Sequence, residues 1–292
     1  MLKLPDVTLV MIETREHELA NLAVNDCLRQ ADFAETLIFT DKPEKYTAII
    51  SEAARFMPVV DWPDKIGWCR QHWQEVAPYV ATSHALSIQW DSWVVDPTVW
   101  HSAFLDYDYI GAPWWYKDGK NVGNGGFCLR STKLMRYLRK HRDTYPCTNT
   151  LDDDLLCRTY RRQLQDEGFL WAPDDLALNF AFEVVRPNPK QRHFGFHASY
   201  NFGYGCGGDM ERLLERARLM IKSPYLTTQH TYFWNGFCNR NPGVAEALMA
   251  EGYQMPSGME KIPQPGDAGE TEIRDALHYM KLRDDLKDAA HG

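Results

Sequence analysis

The chain has 292 residues, 44% of them hydrophobic and 25% charged, enough for one large α/β domain or a domain with an appendage. A formal charge of −8 and a pI near 5.7 leave no basic surplus to neutralise a phosphate backbone, which argues against general nucleic-acid binding. A single nucleotide diphosphate stays compatible with that balance.

The opening Met1-Leu2-Lys3-Leu4-Pro5-Asp6 lacks the charged, apolar and small-residue regions of a secretory signal. No run approaches the roughly 20 apolar residues of a spanning helix. A soluble, cytoplasmic protein is expected. The seven cysteines, Cys27, Cys69, Cys128, Cys147, Cys157, Cys206 and Cys238, are odd in number and form no CxxC pair. That pattern suits free thiols in a reducing compartment, mostly as small core hydrophobes.

Val7 to Ile12 is a continuous β-branched and apolar run, which predicts a strand buried on both faces. His17 to Gln30 carries Leu19, Leu22, Ala23 and Cys27 at helical spacing, and Thr36-Leu37-Ile38-Phe39 reads as a second strand. This β-α-β alternation predicts a parallel sheet with right-handed crossovers. Ligands of such sheets sit beyond the carboxyl ends of the strands, so Glu13, Thr14, Arg15, Thr40 and Asp41 are nucleotide-contact candidates, joined by Lys65. The same residue types also serve as helix caps.

A helix is predicted from Gly67 to Tyr79, with Trp68, His72, Trp73 and Val76 recurring along one face, followed by Val80. It leads into the strand Ala85 to Trp90, closed by Asp91. A carboxylate there can bind a divalent cation shared with substrate phosphates, or simply end a turn. In the following loop, Tyr107 to Trp115, the pair Trp114 and Trp115 offers aromatic faces on which a sugar can stack, or fills the core.

Gly123, Gly125 and Gly126 around Asn124 predict positive φ and close approach of backbone to a ligand, or a hairpin bend before the strand Phe127 to Arg130. The spacing is not a dinucleotide fingerprint. Asp152-Asp153-Asp154 opens a helix with an apolar stripe of Leu155, Leu156, Tyr160 and Leu164. One or two of these carboxylates suit the helix N-terminus, and a third can take a proton from an acceptor hydroxyl. His197, in Arg192 to His197, is a metal or diphosphate candidate, or a structural histidine.

Past Gly207 the pattern predicts a helix from Asp209 to Lys222. An aromatic stretch from Thr227 to Asn239 either completes an active-site rim or packs beneath it. A Pro- and Gly-rich linker from Pro256 to Gly269 precedes a charged helix from Glu272 to Ala289.

Taken in order, Tyr107 to Trp114, Val122 to Ser131, the acidic run and Phe194 to His197 resemble the DUF5672 family over roughly Val7 to Ala198. That family looks like GT-A-fold glycosyltransferases. The resemblance implies an α/β, GT-A-like fold with a mostly parallel central sheet flanked by helices. Its nucleotide-binding half would be Rossmann-like, with a C-terminal helical extension; the domain would span 1-240 and the extension 241-292. It implies transfer from a nucleoside-diphosphate sugar, UDP-sugar favoured, to a hydroxyl of a glycan-type acceptor, as in polysaccharide biosynthesis.

The resemblance places Asp91 at the metal-binding Asp-X-Asp motif and His197 as a later ligand, for manganese or magnesium. Gln89 stands where that motif has its first Asp. Asp152-Asp153-Asp154 also resembles the Glu-Asp-Asp-Asp stretch of β-1,4-galactosyltransferases, which implies an inverting reaction with Asp153 or Asp154 as base. Asn124, Gly125, Gly126 and Asp152, with Trp114 and Trp115, would then line the donor and acceptor sugar site. If the cluster only caps its helix, retention stays open. A non-catalytic carbohydrate- or nucleotide-binding module, favoured by Gln89, is the main alternative. A sugar nucleotidyltransferase comes third, because Glu13 to His17 lacks glycines.

Overall fold

The computed structural model describes residues 1–51, 53–59, 65–116, 118–186, 188, 190–229 and 231–255. The expected linker over Pro256 to Gly269 and charged helix over Glu272 to Ala289 lie outside the described residues. The chain forms two compact units, Met1–His197 and Ala198–Gly292.

The first unit is built on a six-stranded sheet of β1 (Leu2–Ile12), β2 (Ala31–Phe39), β3 (Ala54–Met57), β4 (His84–Ile88), β5 (Tyr109–Gly111) and β6 (Phe127–Ser131), ordered β3-β2-β1-β4-β6-β5. β1, β2, β3 and β4 pair in parallel, whereas β6 runs antiparallel to both β4 and β5. The fold is therefore α/β with a mostly parallel central sheet. β1 lies between two neighbours with both faces covered, which is why Val7 to Ile12 tolerates no polar residue except the buried Thr8.

β1 begins five residues earlier than its apolar run. Leu2 to Leu4 pair with Ala31 to Phe33 of β2 alone, and the register shifts between Leu4 and Thr8. Pro5 lies in that gap and has no N–H to give to a ladder. α1 (His17–Gln30) spans the predicted residues and buries Leu19, Ala20, Ala23, Val24 and Cys27.

The helix expected over Gly67 to Tyr79 is broken in kind. α2 (Lys65–Arg70) widens into a π-helical turn over Gln71–Glu75, closed by Val76 N–H donating to Gln71 O at 3.3 Å. Trp73, Val76 and Val80 are buried, and Trp73 shares a core with Tyr109, Trp114, Leu134, Leu155 and Phe169. α3 (Thr132–Lys140) follows β6 directly, capped by Ser131 Oγ accepting from Leu134 N–H at 3.0 Å.

Asp152 to Asp154 form the short helix α4 (Asp152–Asp154), which runs into a π-helical turn over Leu155–Thr159 and then α5 (Arg161–Asp166). α6 (Asp174–Phe180) leads into a small parallel pair, β7 (Ala181–Phe182) and β8 (Gly195–Phe196).

The described part of the second unit is helical: α7 (Phe202–Gly205), α8 (Met210–Lys222), α9 (Thr231–Arg240) and α10 (Pro242–Ala250). Asp209 caps α8 by accepting from Glu211 and Arg212 N–H at 3.0 and 3.3 Å. In α9, Trp234 and Phe237 are buried, and Phe237 packs on Phe202. No helix among the described residues is long and apolar enough to cross a membrane.

Candidate active site

The topology gathers the sequence candidates at one edge. The carboxyl ends of the parallel strands β1, β2 and β4 point the same way, and antiparallel β6 begins at that edge. At the β1 and β2 end, Glu13 is buried. Its Oε1 accepts N–H bonds from Thr14, Arg15 and Glu16 at 2.9, 2.7 and 3.2 Å. Burial pushes its carboxyl upward, against the lowering effect of those three bonds. Glu13 therefore organises its own loop, ahead of α1.

Thr40 is also buried and accepts Lys42 N–H on Oγ1 at 3.2 Å. Asp41 pairs with His17 Nε2 at 2.7 Å, with the Asp41 side chain 46% exposed, and Arg15 is exposed. Of the five candidates, Arg15 and Asp41 face outward. Lys65 opens α2.

The second half of the edge is centred on Asp91. Past β4 the chain turns, and Gly126 O accepts both Gln89 N–H at 3.1 Å and Ser92 Oγ–H at 2.6 Å. This staples the Gln89 to Asp91 turn to the glycine turn before β6. Asp91 is 1% exposed, and neither carboxylate oxygen has a hydrogen-bond partner. Its Oδ1 lies 3.4 Å from His197 Nε2, and Gln89 Oε1 lies 3.3 Å from the same nitrogen.

On the other side of the imidazole, Nδ1 is 3.1 Å from Glu183 Oε1 and 3.0 Å from Asn124 Nδ2. Burial disfavours a charged imidazole, yet the Asp91 and Glu183 carboxylates outweigh it and hold His197 well above the ordinary histidine range.

Glu183 is the site residue that sequence reading missed. β7 and β8 are parallel, with Ala181 opposite Gly195 and Phe182 opposite Phe196, so the next residues of each strand, Glu183 and His197, emerge side by side. The ladder continues as His197 N–H donates to Phe182 O at 3.0 Å. The available signal was an acidic residue closing the short aromatic run Phe180-Ala181-Phe182, but its partner is set by non-local pairing.

The glycine turn departs from expectation in one respect. The left-handed residue is Asn124, at φ 58°, rather than a glycine. Its Oδ1 accepts from Gly126 and Phe127 N–H at 3.2 and 3.4 Å, the local bonding that lets Asn tolerate this conformation. Tyr109 Oη donates to Asn124 O at 2.8 Å and fixes the turn from below. The glycines serve close approach: a Cβ on Gly126 would fall 2.1 Å from His197 Nε2. The turn ends the loop from Ala112 to Gly126 between β5 and β6, longer than a tight hairpin.

The acidic cluster reaches the same turn. Gly125 N–H donates to Asp153 Oδ2 at 3.0 Å, and Asp154 N–H donates to Asp153 Oδ1 at 2.8 Å. Asp152 is buried and accepts from Trp68 Nε1–H at 3.3 Å. The guanidinium of Arg130, 1% exposed, donates to His72 O at 3.0 Å and Cys128 Sγ at 3.2 Å. Burial opposes that charge, and nearby groups including Asp152 help to sustain it. Trp114 is buried in the core, while Trp115 is half-buried with its ring 5.5 Å from Tyr116.

His197, Asn124, Gly125, Gly126 and Asp153 thus form one hydrogen-bonded constellation, with Asp91 at 3.4 Å from His197 and Asp152 and Asp154 adjoining it. Among the described residues, no group of three His, Cys, Asp or Glu side chains is arranged to hold a metal. The atoms facing one another at His197 Nε2 come from Asp91 and Gln89, with Glu183 turned to the far ring nitrogen.

Residues 69–197 match a family model described as a protein of unknown function, DUF5672. The matched region contains β4, the Gln89 to Asp91 turn, the glycine turn, the acidic cluster and Glu183, and ends on His197. The Glu13 to Asp41 edge lies before it. No curated protein matches the chain.

Among solved structures, an active-site mutant of LgtC aligns with a TM-score of 0.42 and 13% identity, covering 65% of this chain and 86% of that one. The galactosyltransferase LgtC in complex with donor and acceptor sugar analogs aligns at 0.37 and 12% identity, with the same coverages.

Proposed function

We propose that this protein is a glycosyltransferase that moves a sugar from a nucleoside-diphosphate sugar, UDP-sugar favoured, to a hydroxyl of a glycan-type acceptor. The observation that carries the reading is the joining of two chemistries through one turn. Asn124 contacts His197, beside the buried Asp91, and Gly125 binds Asp153. A diphosphate-binding centre and a proton-accepting carboxylate joined by one turn are what a single displacement calls for.

Our reading keeps a GT-A-like transferase domain over 1-240, an extension over 241-292 and a place in polysaccharide biosynthesis. Arg15 and Asp41 are the outward-facing nucleotide contacts at the β1 and β2 end, and Trp115 is the half-buried member of the Trp114-Trp115 pair.

A divalent cation is compatible with the donor set. The carboxylate of Asp91 and the amide oxygen of Gln89 both lie within 3.4 Å of His197 Nε2, and a cation would take the place of the proton that Asp91 and Glu183 favour on this imidazole. Their separations of 3.3 and 3.4 Å are close to the roughly 3.0 to 3.4 Å between neighbouring ligand atoms around a cation bound at about 2.1 Å. Manganese or magnesium held by Asp91 and His197 would offset the charge of the departing diphosphate.

In our mechanism Asp153 or Asp154 accepts the proton of the acceptor hydroxyl. The hydroxyl oxygen attacks the anomeric carbon as the bond to the diphosphate oxygen breaks, and the sugar is transferred with inversion. The glycine turn holds Asp153 through Gly125 N–H and positions it against the donor side of the site.

Gln89 favours a second reading, a binding module that kept the architecture and lost one metal carboxylate. A panel of nucleotide sugars assayed for nucleotide release, with and without Mn²⁺, separates the two. The transferase reading predicts cation-stimulated turnover of at least one donor. Donor binding with no turnover across the panel supports the module.

A further inference from the structure

We propose that a polar cavity between α2 with its π-helical turn and the segment from Arg142 to Cys147 seats an acidic sugar. Its anionic group pairs with Arg70 and Arg142, and its hydroxyls meet the Gln74 amide and the Asp143 carboxylate. The inference rests on the transferase reading for what that sugar does, as part of the acceptor, and adds a substrate class to it.

The cavity has a volume of about 550 Å³, inside the range of about 300 to 1,000 Å³ usual for small-molecule sites. One wall is formed by α2 and the turn that follows it, through Gly67, Arg70, Gln74 and Glu75. The other is the segment that leads from α3 toward α4. Widened helical turns are rare and recur at functional sites.

The walls carry charge that the protein itself does not use. Arg70 and Arg142 are exposed, and among the described residues neither guanidinium has a hydrogen-bond or ion-pair partner. Glu75 is bound to Arg139 at 2.8 Å, so its charge is already met. Asp143 is the other carboxylate in the lining, which leaves one positive charge in surplus there, in a chain of formal charge −8. A guanidinium suits a carboxylate or a phosphate, because two parallel N–H donors match two oxygens.

Gln74 is left short of a partner in the same cavity. It is 4% exposed, and among the described residues its side-chain amide has only the Cys147 sulfur, a weak acceptor, at 4.0 Å from Nε2. A buried amide without a good partner is costly, and a sugar hydroxyl supplies the oxygen it lacks. Asp143 selects in the same direction. A carboxylate takes hydroxyl protons readily but repels a bare anion, so a ligand carrying both groups fits the lining better than a free anion does.

Two links tie the cavity to the acidic cluster. Gly67 precedes Trp68, whose indole N–H donates to Asp152 Oδ1 at 3.3 Å, and Cys147 stands five residues ahead of Asp152. On the transferase reading, an acidic residue of the acceptor glycan anchors here.

The test is binding to the full-length protein without donor or metal, by NMR titration of methyl glucuronoside, glucose 6-phosphate, methyl glucoside and inorganic phosphate. At least one of the two acidic sugars is expected to bind about tenfold more tightly than the neutral glucoside and than phosphate. Which of the two binds better distinguishes a carboxylate from a phosphate as the anchor. Arg70→Ala and Arg142→Ala, both at exposed positions that the fold tolerates, should each weaken that sugar roughly threefold to tenfold. The location has its own readout: Cys147 is half-buried and the other six cysteines are buried, so iodoacetamide should modify Cys147 first, and the bound sugar should slow that reaction.

Equal binding of neutral and acidic sugars, phosphate bound as tightly as either acidic sugar, wild-type affinity in the double arginine variant, or an unprotected Cys147 would each overturn the proposal. Acidic sugars bound at this cavity without turnover of any sugar donor would sink the transferase reading and leave the site standing. Turnover with neutral acceptors and no binding of acidic sugars would do the reverse.

Discussion

Replacing Gly126 by alanine tests the architecture of the site with a single methyl group. The new Cβ would lie 2.1, 2.2 and 2.4 Å from Nε2, Cδ2 and Cε1 of His197, far inside contact distance and against a ring rather than a flexible tip. The imidazole is held by Glu183 and Asn124 at 3.1 and 3.0 Å, so it moves only by giving up bonds, one of them to a charged group.

Overpacking of this kind costs about 1 to 3 kcal/mol, and the strained charged bond brings the expected total to about 3 kcal/mol. For a unit the size of Met1–His197 that corresponds to a fall in Tm of about 6 to 12 °C. Gly125→Ala is the control. Its Cβ would meet Asp152 Oδ2 at 3.3 Å, a contact that small shifts relieve, and less than half the effect is expected. Thermal unfolding followed by circular dichroism reads both variants. A Gly126→Ala protein melting within about 2 °C of wild type would refute the packing of His197 against the turn.

Three further outcomes follow from the same geometry. Tyr109→Phe removes the donor to Asn124 O and leaves a buried carbonyl short of a partner; a loss of about 1 to 2 kcal/mol is expected, read as a lower urea midpoint with unchanged m. Burial holds His72 down to about 4, below its ordinary 6.5, so the unfolded chain binds the extra proton between these values. Its contribution is present above pH 6.5 and lost as pH falls, about 3 kcal/mol by pH 4, and His72→Gln should flatten the stability profile in that window relative to wild type. Asp153→Asn and Asp154→Asn, made separately, should abolish transfer in one variant while nucleotide binding by calorimetry survives in both.

Much of the fold is legible in the sequence because burial on both faces leaves a local trace. Val7 to Ile12 and Thr36 to Phe39 are buried runs whose polar members are Thr8 and Thr36 alone, and α1 repeats its apolar residues at helical spacing. Where polar residues interleave, the trace fails: Lys3, Pro5 and Asp6 hide the first half of β1, and Asp32 and Glu35 hide that of β2. The wide turns after α2 and after α4 leave no compositional mark, since neither contains the Gly or Pro that would announce a break.

The site divides in the same way. Strand-end logic brings Asp91 and the glycine turn to one edge, but it does not separate Glu13, whose carboxylate is consumed by its own loop, from Asp41, which faces outward. Glu183 is silent because its meaning depends on the register of β7 against β8. Asn124 illustrates the limit of residue preference: glycines flank it, yet the left-handed position is its own, stabilised by side-chain bonds that only the folded turn reveals.

The central claim is that the constellation from Asp91 to Asp154 transfers a sugar. Its most direct test is nucleotide release from a panel of nucleotide sugars with Mn²⁺ and glycan acceptors, comparing the wild type with Asp153→Asn and Asp154→Asn. The account predicts turnover of at least one donor by the wild type and its loss in one of the two variants. No turnover of any donor, or both variants as active as the wild type, would contradict it.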